Sequence, residues 1–244
     1  MSRRRILITG VSRRAGIGFA LAEQLSAEAD IVASGWAAHD AEQPWGADPQ
    51  EPTVPRYLPM DLADPDAPRS LIRAARDLLG GLDVLIAVHA RSSAQSLPEL
   101  TAAELDLSFA VNARATLLLI KQFAAGFDGR DGRVITFSSG QHREPMPAEL
   151  PYIASKAAVQ QLTASLAAEL APRGITVNCV NPGPVDTGYA DEGTRAAVAS
   201  RHPRGRWGTP QDVAAVVGWL ISPEAGWLTG QTIDADGGWQ LRQR

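Results

Sequence analysis

Two residues in the second half of the chain could together move a proton. Tyr152 and Lys156 are four residues apart in a segment whose spacing predicts a helix, so both side chains share one helix face. A tyrosine hydroxyl titrates near about pH 10 and is a weak catalyst at neutral pH. A neighbouring ammonium favours the phenolate and lowers that pKa. Tyr152 is therefore a candidate for giving a proton to a carbonyl oxygen, or for removing one from an alcohol.

A glycine-rich stretch near the N-terminus is typical of a phosphate-binding turn. The run TGVSRRAGIG joins a predicted strand to a predicted helix, and it contains Gly10, Ser12, Gly16, Ile17 and Gly18. Gly10 permits a sharp turn, Gly16 allows the backbone to approach a pyrophosphate, and Gly18 allows close packing of helix and strand. The free N–H groups of the helix N-terminus suit an anion. The sequence therefore predicts a dinucleotide site, although a plain glycine-rich turn is the alternative.

Two arginines in this turn bear on which dinucleotide would bind. Arg13 and Arg14 could pair with a 2′-phosphate, because guanidinium matches phosphate geometry. An NAD site usually has an acidic residue at the end of the second strand, where this chain has Ser-Gly-Trp, ending at Trp36. Asp40 comes later, so the sequence places no acidic residue at the end of this strand. These two observations favour NADP(H) over NAD(H) as the cofactor. The alternative is that both arginines are solvated surface residues and bind no phosphate.

Strand and helix patterns alternate along the whole chain. Several strands are continuous apolar runs, which is typical of a parallel sheet buried on both faces. The order βαβαβ predicts an α/β fold: a Rossmann-type, doubly wound parallel sheet with helices on both faces, in a single domain over 1–244. Residues 101–126 predict one long helix, with Thr101 and Glu104 spaced as a capping box.

Two segments interrupt this alternation. Five prolines within 36–59 predict that any helix there is short or absent. Residues 186–208 are rich in Gly and Arg, and we expect them to be irregular and to form a substrate lid, with a passive surface loop as the alternative.

The composition makes several other classes of function improbable. The net charge of −4 offers no basic patch for nucleic acid or an anionic membrane. Neither a secretory signal nor an apolar run long enough to span a membrane is found, so the cytoplasm is the expected location. The four histidines are scattered without ligand spacing, so no metal is expected. Cys179, the single cysteine, lies in an apolar run and is expected to be a core residue.

Taken together, these motifs resemble the short-chain dehydrogenase/reductase family over almost the whole chain, and within it the 3-oxoacyl-acyl-carrier-protein reductases. The features that carry the resemblance are the glycine turn, Asp61-Leu62, Asn112, Ser139, the Tyr152/Lys156 pair, NPGPVDT at 181–187 and the terminal LTGQTIDADGG. The resemblance implies an NAD(P)(H)-dependent oxidoreductase that interconverts a ketone and a secondary alcohol.

The resemblance also assigns roles. Tyr152 is the general acid/base, Lys156 binds the nicotinamide ribose, and Ser139, rather than its neighbour Ser138, binds the substrate carbonyl. Asn112 would hold a water that links Lys156 to solvent. The cofactor contacts that it implies, beyond the turn, are Trp36, Asp61, Leu62, His89, Ala90, Tyr152, Lys156, Pro182, Gly183, Val185 and Thr187.

The chain departs from the family in three places. Five residues separate Gly10 from Gly16 where the family usually has three, and the 36–59 segment replaces a full helix. Ala-Val-His-Ala at 87–90 stands where the family has Asn-Asn-Ala-Gly. His89 is thus either a polar contact of the cofactor or a structural residue whose ring is hydrogen-bonded within the protein. We favour the second interpretation.

The substrate and the assembly are less constrained by the sequence. A 3-oxoacyl thioester or related carbonyl is the first hypothesis, and arginines 195, 201, 204 and 206 could attract an anionic carrier or could be solvated. A ketoreductase or a sugar or polyol dehydrogenase of secondary metabolism is the second hypothesis. A non-catalytic dinucleotide sensor is the third, although such proteins typically lose the tyrosine or the lysine. By resemblance, a homotetramer or homodimer is expected.

Overall fold

The strands form one parallel sheet whose winding changes direction at its first strand. The computed structural model describes residues 3–50 and 53–241, and the sheet in them has seven strands in the order β3-β2-β1-β4-β5-β6-β7. The strands are Arg4–Thr9 (β1), Ala29–Gly35 (β2), Tyr57–Pro59 (β3), Val84–Ala87 (β4), Gly132–Phe137 (β5), Ile175–Asn181 (β6) and Thr232–Asp234 (β7). Since the order reverses between β1 and β4, a crevice opens there at the carboxyl ends of the strands.

Helices cover both faces of the sheet, as the sequence predicts. They are Ile17–Ser26 (α1), Ala37–Ala41 (α2), Ala67–Leu79 (α3), Ala102–Ser108 (α4), Ala115–Gly126 (α5), Leu150–Leu170 (α6), Glu192–Arg201 (α7) and Pro210–Leu220 (α8). Helix α1 packs against α8 on one face, and α3 packs against α5 on the other. The predicted doubly wound α/β architecture is confirmed.

Alternation along the strands divides the apolar interior into two layers. In β1, Ile6 and Ile8 belong to the core under α1 and α8, whereas Leu7 belongs to the core under α3 and α5. All three side chains are fully buried. Each contributes about 1.5–3 kcal/mol through apolar burial, which fixes the register of the strand that carries the glycine turn.

The predicted long helix over 101–126 forms, but with a wider turn at its centre. Thr101 caps it by accepting a hydrogen bond from the Glu104 N–H at 3.3 Å. The Glu104 carboxylate does not complete the expected capping box; it binds Arg91 instead, at 2.8 Å. Residues Phe109–Arg114 form a π-helical turn between α4 and α5 that includes Asn112.

The expectation that 186–208 is irregular is wrong. Ten of these residues form α7, whose N-cap Asp191 accepts a hydrogen bond from Thr194 N–H at 2.7 Å. No residue of α7 is buried, so the helix has no apolar face that the sequence pattern could reveal. The 36–59 segment does hold only a short helix, α2, and it also contributes the edge strand β3, where Pro59 is tolerated at the end of the strand. Positions 51 and 52 of that segment lie outside the described residues.

Among the described residues, no helix combines the length and the apolar character needed to cross a lipid bilayer.

Candidate active site

The tyrosine and lysine predicted from their spacing lie in the first two turns of α6, side by side. The Lys156 ammonium is 5.9 Å from the centre of the Tyr152 ring. Lys156 is almost fully buried, and it donates hydrogen bonds to the carbonyl oxygens of Phe137 at 3.1 Å and His89 at 3.5 Å. The lysine therefore ties α6 to the carboxyl ends of β4 and β5.

Of the two neighbouring serines, only Ser139 faces the tyrosine. Its side chain lies close enough to Tyr152 to hydrogen-bond the phenol, and it also donates to the Met146 sulfur at 3.9 Å. Ser138 is buried, and its hydroxyl has no hydrogen-bond partner among the described residues. The structure thus brings Ser139, Tyr152 and Lys156 together and leaves Ser138 apart.

The expectation that Lys156 lowers the pKa of Tyr152 is not what the structure shows. Burial raises the pKa of Tyr152 to about 12, and the Ser139 hydroxyl offsets this only in part. The lysine has little effect because its ammonium is directed to backbone carbonyls and not to the phenol oxygen. Burial also lowers the pKa of Lys156 to about 8. Tyr152 is therefore a neutral phenol at pH 7, which is the form that donates a proton.

Asn112 braces the π-helical turn against two neighbouring elements. Its side chain accepts from the Arg91 N–H at 2.7 Å and donates to the Arg91 carbonyl at 3.0 Å and the Ser155 hydroxyl at 2.9 Å. Both amide hydrogens are used, whereas one lone pair of its oxygen is left. Arg91 in turn makes a bidentate pair with Glu104. Sequence reasoning missed Arg91, because it follows β4 without any recognisable motif.

The glycine turn has the geometry expected of a phosphate cradle. Gly10 has φ +79°, and a Cβ added there would lie 2.5 Å from the backbone nitrogen of His89. A Cβ on Gly18 would collide with the carbonyl oxygen of Gly10. Gly16 occupies the N-cap of α1 without a side-chain cap, and the first turn has no acidic residue. The N–H groups of that turn are thus available to an anion.

The two arginines of the turn point to different partners. Arg13 pairs with Asp40 at 3.3 Å, lies over the Trp45 ring at 5.3 Å and donates to the Thr187 hydroxyl at 3.4 Å. Arg14 is exposed and donates to Gln50 at 3.2 Å. Only Arg13 is therefore at the crevice side of the turn.

An acidic residue does lie close to the end of β2, on α2, but its carboxylate is already engaged within the protein. Asp40 is buried beside Arg13, and it accepts a hydrogen bond from the Trp45 indole at 3.1 Å. Trp36, at the end of β2, is 44% exposed, so it is available to a ligand at this edge. The sequence does not show this cluster, because its members are spread over turn, helix and loop.

His89 is satisfied on both ring nitrogens within the protein. The Thr9 hydroxyl is 2.6 Å from Nδ1, and the Val111 carbonyl oxygen is 3.1 Å from Nε2. Burial, with a smaller effect of Lys156, lowers the pKa of His89 to about 3, so the ring is neutral. These contacts support the structural reading of its side chain. The half-buried Ala90 follows it at the same edge of the sheet.

The other predicted contacts surround the same crevice, with two exceptions. The side chains of Leu62 and Val185 are buried in the two cores, so they do not face a ligand. Asp61 follows β3, and its carboxylate accepts the Ala63 N–H at 2.8 Å. Pro182, Gly183 and Thr187 follow β6; a Cβ on Gly183 would lie 2.9 Å from the Asp236 Cα.

A cavity of about 520 Å³ adjoins Ser139. Its lining comes from the segment after β5, the segment after β6, the end of α7 and the C-terminal turn. Several lining residues belong to the sequence motifs, among them Ser139, Asn181, Gly183, Pro184 and Asp236, and Arg201 is one of the arginines noted in the 186–208 segment. The rest of the wall, which includes the 143–146 segment, Tyr189 and Trp239, was not expected from the sequence, because a cavity wall needs only shape. Among residues 3–50 and 53–241, no group of three or more His, Cys, Asp or Glu side chains is gathered as metal ligands.

The crevice fits a dinucleotide. The turn at Gly10 has no room for a Cβ, and together with the uncapped N-terminus of α1 it matches a pyrophosphate. The Arg13 guanidinium matches the phosphate of a nucleoside. A nicotinamide dinucleotide supplies hydride transfer when bound. The carboxyl ends of β4 and β5, with Ser139, Tyr152 and Lys156, can bind and protonate an oxygen beside it.

Comparisons with known proteins agree with this geometry. A family model described as Enoyl-(Acyl carrier protein) reductase matches residues 10–240. The uncharacterized oxidoreductase YjdA of Bacillus subtilis is 37% identical over 241 residues, 95% of each chain. The 3-oxoacyl-[acyl-carrier-protein] reductase FabG of Vibrio cholerae is 31% identical over 236 residues, again 95% of each chain.

A solved structure extends the likeness to three dimensions. A short-chain dehydrogenase from Burkholderia cenocepacia in complex with NADP superposes with a TM-score of 0.82 at 33% identity and covers 97% of each chain. These matches agree with three features of this structure. They are the order of the strands, the glycine cradle and the cluster of Ser139, Tyr152 and Lys156. The chain belongs to the short-chain dehydrogenase/reductase family and is an NAD(P)-dependent oxidoreductase.

Proposed function

We propose that this protein reduces a ketone to a secondary alcohol, or runs the reverse reaction, with NADP(H). The proposal depends on one observation: Ser139, Tyr152 and Lys156 lie together at the carboxyl ends of the strands, where the glycine cradle also lies. In the reduction, a bound dinucleotide would supply a hydride to the carbonyl carbon as the carbonyl π-bond opens. The oxygen takes its proton from Tyr152.

The chain's residues divide this work. Ser139 donates a hydrogen bond to the carbonyl oxygen as charge develops on it. Lys156 would bind the nicotinamide ribose, and the carbonyl oxygens of Phe137 and His89 hold its ammonium at the carboxyl ends of β5 and β4 for that role. The remaining lone pair of the Asn112 side-chain oxygen is compatible with a relay water that returns a proton to Lys156. The lid, residues 186–208 with α7 at its centre, would close over the substrate.

Three observations support NADP(H) over NAD(H). Arg13 lies at the crevice with its guanidinium against Asp40, and that carboxylate is already engaged by the Trp45 indole. A free carboxylate for a ribose 2′-hydroxyl is thus not offered. The Burkholderia relative carries NADP. A bound 2′-phosphate would compete with Asp40 for Arg13.

The first substrate candidate is a 3-oxoacyl thioester, on the likeness to the Vibrio reductase. The second is a free ketone of the kind reduced by ketoreductases or by polyol or sugar dehydrogenases. The pairing of two lid arginines, Arg195 and Arg206, favours the second. Arg195 pairs with Asp186 at 3.1 Å, and Arg206 makes a bidentate pair with Asp212 at 2.7 and 2.9 Å. These guanidiniums are satisfied within the chain and are poor docking points for an acidic carrier.

Assembly and location complete the proposal. We place the protein in the cytoplasm as a homotetramer or homodimer, as in its family. The non-catalytic sensor is disfavoured, because Ser139, Tyr152 and Lys156 are all present and adjacent.

The direct test follows absorbance at the nicotinamide band with NADPH and NADH against a panel of ketones that includes a 3-oxoacyl thioester. We expect oxidation of NADPH with at least one carbonyl compound. Tight NADPH binding without turnover on any ketone or alcohol would favour the sensor.

A further inference from the structure

The cavity beside Ser139 has the size and walls of a small-molecule pocket. Its volume of about 520 Å³ lies in the range of ligand sites, roughly 300–1,000 Å³. Apolar surface comes from Pro145, Met146, Pro184, Tyr189 and Trp239. These walls suit the apolar or aromatic body of a ketone and offer little to a polyhydroxylated one.

Trp239, from the C-terminal turn, is a fixed part of this wall. Its ring stacks on His202 with centroids 5.8 Å apart, and Arg201 lies over it at 5.6 Å. Its indole N–H donates to Glu144 at 3.1 Å. His202 is itself held by the Asp236 carbonyl and the Arg204 N–H. The end of α7 and the loop after β5 thus hold Trp239 before any ligand arrives.

Two arginines line the same cavity and are only loosely paired. Arg143 is 3.5 Å from Asp234, and Arg201 is 3.7 Å from Glu144. Their side chains are 56% and 62% exposed. A guanidinium has five N–H donors, so within residues 3–50 and 53–241 most donors of both residues have no hydrogen-bond partner, although Arg201 also lies over the Trp239 ring.

The carboxylates that line the cavity are committed more firmly. Asp236 accepts the backbone N–H groups of Gly238 at 2.9 Å and Gln240 at 3.1 Å. Glu144 accepts the Trp239 indole. The side-chain oxygen of Gln240, which also lines the cavity, is a neutral acceptor with no partner among the described residues. The spare charged donors of the two arginines exceed this acceptor, which favours an anionic group on the ligand.

On the basis of the proposed carbonyl reduction, we propose that the substrate is a small apolar or aromatic ketone that carries a carboxylate. Its carbonyl would lie at Ser139 and Tyr152, its body against Trp239, and its carboxylate at Arg143 and Arg201. The carbonyl carbon gains a hydride from NADPH and the oxygen gains the Tyr152 proton, so the products are a hydroxy acid and NADP⁺.

The test compares 3-benzoylpropionate with its uncharged methyl ester. Both are assayed with NADPH, and both are titrated by calorimetry into the complex of enzyme and NADP⁺. The variants are Arg143→Gln, Arg201→Gln and the double substitution. Arg69→Gln, an exposed arginine on α3 outside the cavity, is the matched control.

We expect the wild type to prefer the acid by about tenfold or more, the gain typical of a hydrogen bond to a charged group. The double variant should raise KM and Kd for the acid by about the same factor. Its effect on the ester should be much smaller, because the ester lacks the charge that the guanidiniums bind and is affected only through the Arg201 contact with Trp239. Arg69→Gln should change neither. Equal affinity of the wild type for acid and ester, or an equal loss of both in the double variant, would overturn the inference. Selective binding of the acid without turnover of any ketone in the panel would support the carboxylate contact at Arg143 and Arg201 and refute the proposed function.

Discussion

Replacing His89 with glutamine should remove a measurable part of the protein's sensitivity to acid. The ring is buried between the Thr9 hydroxyl and the Val111 carbonyl. A ring protonated only on Nε2 satisfies both contacts, because Nδ1 then accepts and Nε2 donates. Burial disfavours the imidazolium, and to a smaller extent so does the nearby Lys156 ammonium, so the pKa of His89 is lowered to about 3. A second proton would also leave the Thr9 hydroxyl without its acceptor.

The size of the effect follows from the two pKa values. An unfolded histidine titrates near about 6.5, so between that pH and about 3 the unfolded chain binds the extra proton. The free energy of unfolding is therefore highest above pH 6.5 and falls as the pH drops toward 3. Each full pH unit inside this window costs about 1.4 kcal/mol. From pH 7 to pH 5, His89 alone should account for a loss of roughly 2 kcal/mol.

Urea unfolding at pH 7 and pH 5 measures this loss. Wild type, His89→Gln and Val88→Ala are compared, because Val88 is a neighbouring, partly buried position that carries no titratable group. Wild type and Val88→Ala should each lose about 2 kcal/mol more than His89→Gln between the two pH values. If all three lose the same amount, the buried neutral histidine is not what limits acid stability, and the reasoning fails.

Two further predictions concern the cofactor and the proton. Arg13→Gln should raise KM for NADPH by about tenfold to a hundredfold and change KM for NADH much less. Arg14→Gln, a substitution of the exposed arginine, is the control. An equal rise in KM for both cofactors would show that Arg13 does not contact a 2′-phosphate. Burial lowers the pKa of Lys156 to about 8, so the ammonium is present below that pH and lost above it. In a pH profile, kcat/KM for ketone reduction should therefore fall above about pH 8. A Lys156→Arg variant that retains activity should keep it to higher pH. A flat wild-type profile to pH 10 would contradict the need for a charged Lys156.

The parts of the structure that follow from periodicity and glycine geometry could be predicted from the sequence. Continuous apolar strands between amphipathic helices leave few alternatives to a doubly wound sheet. Gly10 and Gly18 could be assigned because backbone crowding at a strand–helix turn excludes a side chain, and the structure shows that crowding. Ser139 could be placed near Tyr152, since a strand end and the next helix start meet at one edge of the sheet.

Other parts depend on contacts that no local pattern encodes. Helix α7 has no fully buried residue, so it lacks a clear apolar period. Glu104 leaves its expected capping role because Arg91 reaches it from another segment. The direction of the Tyr152 pKa depends on burial, and spacing to a lysine says nothing about where the ammonium points. The Trp239 wall comes from a C-terminal turn that matches no motif used in the sequence reasoning.

The central claim is that the Tyr152 hydroxyl delivers the proton, and a Tyr152→Phe variant tests it most directly. NADPH binding should be retained, because the change removes one oxygen from a phenol whose neighbours Ser139 and Lys156 stay in place. With a ketone that the wild type reduces, kcat should fall by about 10²–10⁴-fold, the usual contribution of a general acid. Reduction by Tyr152→Phe at the wild-type rate would contradict the account.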